Sequence, residues 1–186
     1  IMANHAAVAL DNVRLLRDAE EAHLATLQSM ALLLEAKDPY THGHSERVRD
    51  FSVLAAQKLG MPEHIIETLR TGAALHDIGK VGVKDSVLNK PAAPTDDEWA
   101  LIRRHPIIGY EVLEPVHKLT AEHLQLVRWH HERFDGSGYP DNLNAGDLPE
   151  TVRIIGVADA YDAMSGSRAY RAAMPTGAII EQLERN

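Results

Sequence analysis

Apolar residues along this chain recur every three or four positions, and strict alternation is scarce, so the pattern predicts an all-α protein. From about Ala3 to Ala36 no Gly or Pro interrupts the helical period. Ala9, Val13, Leu16, His23, Leu27, Met30 and Leu34 step by four and three, with polar Glu20 filling one position. That stripe fits two readings. It is the seam of a short parallel coiled coil, or one face of a long helix packed on its own domain.

Caps and breakers divide the rest. Asp38-Pro39 reads as an N-cap and first-turn proline for a helix running to Leu59 and stopping at Gly60. Pro62 opens another, ending near Gly79. Thr95-Asp96-Asp97-Glu98 is a capping box, and its helix ends at His105-Pro106. Pro106 starts a short helix to about Glu114. Thr120 to Glu132 is helical and leads into the turn-rich run Phe134 to Pro140. Thr151 to about Met164 and Thr176 onward form the last helices. Val81 to Pro94 reads as a connector rather than a mobile lid. The expectation is about seven helices forming a bundle around a buried polar centre, with the N-terminal helix projecting.

Composition narrows the class. The chain has 186 residues, with 45% apolar and 25% charged residues, ordinary for a globular protein. Its formal charge of −8 argues against nucleic-acid polymers as partners. An anionic small substrate would need local cations. Without cysteine there are no disulfides or thiolate metal sites, and a cytoplasmic location fits. No apolar run reaches membrane-spanning length. The chain starts mid-pattern and stops without a cap, as a piece of a longer protein would.

The candidate chemistry begins at His76-Asp77, which stand inside the apolar run Gly72 to Gly79. Burying both groups is costly unless something compensates, and a divalent metal does. His44 extends the stripe Val48, Phe51, Ala55; His131 continues Leu124 and Val127. Asp159 shares a face with Ile155 and Asp162. His105 and His130 complete the set. One inward histidine is ordinarily a hydrogen-bonded core residue; several together with inward carboxylates point to a metallohydrolase. Neighbours on a regular helix point about 100° apart, so His130 and His131 would serve two ions, or one would bind while the other orients. Asp77 could bridge two metals. Nitrogen and oxygen ligands suit iron or manganese, with zinc, cobalt or nickel as alternatives. His5, His23, His42, His64, His117 and His123 are assigned to solvent.

These residues carry a resemblance. The run from Glu35 to His44, His76-Asp77-Ile78-Gly79-Lys80, Arg104-His105-Pro106, His130-His131 through Gly138-Tyr139-Pro140, Ala158-Asp159-Ala160-Tyr161-Asp162-Ala163 and Arg168-Ala-Tyr-Arg171 together resemble an HD-GYP domain. This is a branch of the HD phosphohydrolase superfamily. The likeness spans residues 34–186 as a C-terminally truncated domain. Residues 1–33 resemble the last helix of a GAF sensor domain running into a linker.

The resemblance implies a cyclic di-GMP phosphodiesterase yielding pGpG, and often GMP. Two metals would bind phosphate oxygens and activate a shared water, and the resulting hydroxide would attack phosphorus in line. It implies His44, His76, Asp77, His105, His130, His131 and Asp159 as metal ligands, with Asp77 and Lys80 catalytic. Lys80, Arg168 and Arg171 would contact substrate. Glu35 and Asp162 would support the ligands, and Gly138, Tyr139 and Pro140 would shape the pocket mouth or meet a protein partner. A homodimer through the N-terminal helix is expected. Some members place a glutamate four residues before the first ligand histidine to help hold a third ion. Here Tyr40 stands there, so two ions are expected and slow pGpG hydrolysis with them. Two other readings stay open: another cyclic dinucleotide as substrate, or a catalytically weak binding module.

Overall fold

A computed structural model describes residues 2–36, 43–166 and 173–185. The chain is all-α. Among the described residues it forms α1 (Met2–Glu35), α2 (His44–Lys58), α3 (Glu63–Leu75), a 3-10 turn (Ile78–Gly82), α4 (Asp85–Leu88), α5 (Asp96–Ile102), α6 (His105–Leu113), α7 (Ala121–Trp129), α8 (Glu150–Ser165) and α9 (Thr176–Glu184). There is no strand among them, only an isolated bridge between Asp135 and Asn144. The Val81–Pro94 segment, read as a connector, holds the 3-10 turn's end and the short α4. Lys90 anchors it by donating to Glu98 at 2.6 Å.

Several boundaries follow the sequence and several do not. The Thr95 capping box has both of its bonds, Glu98 N–H to the Thr95 hydroxyl at 3.3 Å and Thr95 N–H to Glu98 at 2.7 Å. Pro62 and Thr120 stand at the N-caps of α3 and α7. Among the described residues α2 runs from His44, after Gly43, which adopts a left-handed conformation with φ 72°. Asp38 and Pro39 themselves lie outside the described residues. The third helix stops at Leu75, four residues before the expected Gly79, and the chain tightens into the 3-10 turn. Gly79 makes this possible: a Cβ there would lie 1.9 Å from the His105 carbonyl oxygen, so only glycine lets the turn press onto the start of α6. The fifth and seventh helices end at Ile102 and Trp129, short of His105 and Glu132.

Two apolar clusters hold the bundle. One joins α2, α3, α7 and α8 through Val48, Ala56, Leu69, Ala73, Leu126, Val152 and Ile155. The other gathers Leu75, Ile78, Leu113, Leu119 and Val127 under the end of α1, where Leu27 and Ala31 are buried. These two α1 residues, with Leu24 and Leu34 half-buried, set the packed phase; Met30, assigned to the same stripe, is 55% exposed. Before Leu24 the helix projects: Val8, Leu10, Val13, Leu15 and Leu16 are all exposed. No helix among the described residues is long and apolar enough to cross a membrane.

Candidate metal centre

Every candidate histidine sits at a helix end. His44 opens α2 and His105 opens α6; His76 and His130 are the C-caps of α3 and α7. The last turn of a helix leaves carbonyl groups without intrahelical partners. Three of these histidines use one. The Nδ1–H of His76 donates to Ala73 O at 2.7 Å, that of His105 to Ile102 O at 2.7 Å, and that of His130 to Val127 O at 2.8 Å. A carbonyl can only accept, so Nδ1 carries a proton, and in the neutral ring Nε2 is left with the lone pair that a metal would take.

Those lone pairs converge. The Nε2 atoms of His105 and His130 face each other at 3.1 Å, and with both rings neutral the two are acceptors. The Nε2 of fully buried His76 has no hydrogen-bond partner among the described residues. Orphaned, mutually repelling lone pairs in a buried site are what a cation would relieve, so the donor set fits a metal. Two groups result. Ligand atoms of His44, His76 and Asp77 lie within 4.8 Å of one another, and so do those of His105, His130 and His131.

Two carboxylates lie between the groups. Asp77 turns Oδ1 to His105 Nε2 at 3.2 Å and to His130 Nε2 at 4.0 Å. Its Oδ2 is 3.5 Å from His76 Nε2 and 3.8 Å from His44 Nε2. Asp159 is also two-sided, with Oδ1 3.2 Å from His44 Nε2 and Oδ2 3.7 Å from His131 Nδ1. The expectation that His130 and His131 diverge by a helical step does not hold. The helix ends at Trp129, and the following turn brings both rings to the same group, their centroids 4.1 Å apart.

Charge is distributed unevenly. Burial would lower the His44 pKa, but hydrogen bonds to Asp159 and Asp162 raise it to about 9. Burial lowers His131 to about 3 and, with the neighbouring imidazoles, drives His130 well below its ordinary value. Burial would raise the Asp77 carboxyl, yet the Lys80 ammonium beside it holds it far below the usual carboxylate range. Lys80, in the 3-10 turn, binds Asp77 Oδ2 directly.

Supporting residues act through these. Asp162 accepts from His44 Nδ1 at 2.7 Å and is gripped by Arg47 Nε at 2.6 Å. Glu35 accepts the Ser45 backbone N–H at 3.0 Å and so caps α2 where Gly43 has no side chain to do it. The Gly138-Tyr139-Pro140 loop folds back onto the centre. The Tyr139 ring lies 4.7 Å from that of His131, and the Arg103 guanidinium lies over the Tyr139 ring, 5.5 Å from its centroid. A side chain at Gly138 would strike the Glu132 backbone at 2.4 Å, so the loop can lie this close only with glycine there. Buried Glu132 clasps the loop's far side, accepting from Asp141 N–H at 2.6 Å and Leu143 N–H at 3.0 Å.

Arg47, Arg103 and Glu132 were not singled out from sequence. Arg47 carried a signal, one turn after His44 on α2; Arg103 carried none. Arg168, Arg171 and Tyr40 lie outside the described residues. Of the histidines assigned to solvent, His5, His23, His64 and His117 are exposed, and His42 is outside the described residues. His123 differs: it is half-buried and accepts the Thr120 backbone N–H at 3.1 Å. Beside the second group opens a cavity of about 670 Å³, with His130, His131 and Asp159 in its wall.

The chain is 38% identical over 169 residues to the cyclic di-GMP phosphodiesterase response regulator RpfG of Xanthomonas campestris, a match covering 90% of this chain and 45% of that protein. It is 38% identical over 154 residues to the 3'3'-cGAMP-specific phosphodiesterase 3 of Vibrio cholerae, covering 83% of this chain and 33% of that protein. The chain thus spans less than half the length of these relatives. The solved structure of Bd1817, an HDG"Y"P protein from Bdellovibrio bacteriovorus, shares the fold with a TM-score of 0.65 at 23% identity, covering 90% of this chain and 56% of that one. Residues 28–186 match the HD domain family model, and on that match the chain belongs to the HD domain family.

Proposed function

We propose that this domain hydrolyses cyclic di-GMP to pGpG, and pGpG more slowly to GMP, at a centre of two divalent ions. The observation that carries the reading is Asp77, which offers one oxygen to each ligand group. In this reading His44 and His76 serve one ion, His105, His130 and His131 the other, and Asp77 and Asp159 lie between them. The relatives' names supply the substrate class, and the all-nitrogen-and-oxygen donor set favours iron or manganese. Tyr40, in place of a carboxylate, limits the centre to two ions.

When bound, the ions supply Lewis acidity at the phosphate oxygens and lower the pKa of water. The protein does the rest. Three Nδ1–H bonds to carbonyls hold the imidazoles in the ligating tautomer, and Asp162 does the same for His44. Lys80, already beside Asp77, presents its ammonium to the scissile phosphate. Arg168 and Arg171 contact the substrate as well. Residues 1–33 act as a linker helix from a GAF-like sensor to the HD-GYP domain at 34–186. The exposed Val8, Val13 and Leu16 pair with a second copy to form the dimer.

A second substrate reading has its own support, since the Vibrio relative is named for 3'3'-cGAMP and matches at the same identity as RpfG. The chain loaded anaerobically with Fe(II) or Mn(II) and given each cyclic dinucleotide separately, with products resolved by chromatography, tests both. Cyclic di-GMP should be consumed faster, giving pGpG first. Faster use of 3'3'-cGAMP overturns the substrate assignment, and no turnover of either overturns the activity.

A further inference from the structure

The cavity beside the centre has a feature that the metal chemistry leaves unused. In a chain of net charge −8 its wall carries three arginines, Arg103, Arg133 and Arg153. Arg133 reaches Asp135 at 3.7 Å. Neither Arg103 nor Arg153 has a carboxylate of the described residues within 4.0 Å. The remaining carboxylate of the outer wall, Glu184, pairs with neither.

Arg103 is held in place without being neutralised. Its guanidinium rests on Tyr139, which rests on His131, so it stands one ring away from the metal-binding group. Arg153 comes from α8, the helix that also carries Asp159. The same cavity exposes Phe134, a large apolar side chain left 58% accessible directly after the His131-Glu132-Arg133 turn. Cations without counter-charge next to an uncovered aromatic face match the chemistry of a nucleotide: phosphate for guanidinium, base for ring.

We propose that Arg103 and Arg153 form a second phosphate seat, which holds the phosphodiester that is not being cleaved, and that Phe134 is the platform for one base. This rests on the cyclic-dinucleotide reading above. Such a substrate has two phosphodiesters; the centre neutralises one, and the other enters a negatively charged protein. Each guanidinium presents paired donors that suit its two free oxygens.

The test compares two substrates of the manganese-loaded chain. Cyclic di-GMP has a second phosphate, whereas bis(p-nitrophenyl) phosphate has a single phosphodiester and no nucleobase. Arg103→Ala and Arg153→Ala should each raise the KM for cyclic di-GMP roughly tenfold or more, with kcat and metal content unchanged. Phe134→Ala should act likewise to a smaller extent. Arg153→Ala and Phe134→Ala should leave kcat/KM for bis(p-nitrophenyl) phosphate as in the wild type. Arg153 makes no hydrogen bond or ring contact with Tyr139 or His131, so its variant separates substrate binding from support of the centre. An unchanged KM for cyclic di-GMP overturns the seat. So does a parallel loss on both substrates, which would assign the arginines to the centre itself. Wild-type protein that cleaves the aryl diester but neither binds nor cleaves cyclic di-GMP would overturn the underlying functional reading, and the seat with it.

Discussion

The two ligand groups of this centre are built from similar parts and behave as opposites. Around His44 three carboxylates gather: Asp162 at 2.7 Å, Asp159 at 3.2 Å and Asp77 at 3.8 Å, and the imidazole holds a proton more tightly than usual. Around His130 the neighbours are imidazoles, with ring centroids of His131, His76 and His105 at 4.1, 4.9 and 5.2 Å, and the proton is driven off. The acidic group is charged in advance for a cation. The imidazole group is a set of neutral lone pairs whose mutual repulsion a cation removes. One bundle thus reaches the same end by two routes, Coulombic attraction in one half and relief of unsatisfied acceptors in the other.

The largest effects should come from breaking either group outright. His130→Ala should remove nearly all turnover, as ligands of one centre act as a unit. Elemental analysis of that variant should find the acidic group's ion retained. If turnover stays near the wild-type rate, the imidazole group is not part of the reaction. A milder change sharpens the contrast. Asp162→Asn keeps the shape but weakens the grip on His44, so metal affinity should fall roughly 10- to 100-fold, confined to one of two binding phases. Calorimetric titration with Mn(II) showing both phases weakened equally would deny that the groups are separable.

How much of this was legible beforehand depends on how local each signal was. The capping box at Thr95 and the breakers at Pro62 and Gly60 act through neighbouring residues, and the helices follow them. The inward histidines showed as polar endings of apolar stripes. What could not be read was geometry created by helix ends. His130 and His131 were expected to diverge because the helix was extended through them, and its stop at Trp129 reverses that result. Likewise a carboxylate next to His76 suggests a bridge from sequence alone, while the two-sided place of Asp159 needs α2 and the turn after α7 to meet over it. Arg103 and Glu132 act across a loop, where no periodicity marks a partner.

Acidity offers a subtler probe of the same contrast, in chelator-treated protein. The His44 pKa, raised from 6.5 to about 9, stabilises the fold fully below about pH 6.5, and that contribution is lost as pH rises through 9. The His131 pKa, lowered from 6.5 to about 3, makes the folded state bind fewer protons than the unfolded one, so stability falls as pH drops from 6.5 towards 3. Denaturant unfolding across pH should therefore show His44→Gln flattening the alkaline limb and His131→Gln the acid limb. The reverse assignment would contradict the charge distribution. The smallest effect concerns the loop. Glu132→Gln leaves a backbone N–H facing an amide donor and should cost about 1–3 kcal/mol in thermal unfolding, with metal content unchanged. No loss of stability would mean that the Asp141 and Leu143 bonds do not hold the loop.

The bridging role of Asp77 is tested most directly by counting ions in protein prepared anaerobically, wild type beside Asp77→Ala, by elemental analysis. Two ions per chain in the wild type and almost none in the variant is the expected result, because both groups lose the oxygen they share. Three ions in the wild type, or two retained by Asp77→Ala, would contradict it.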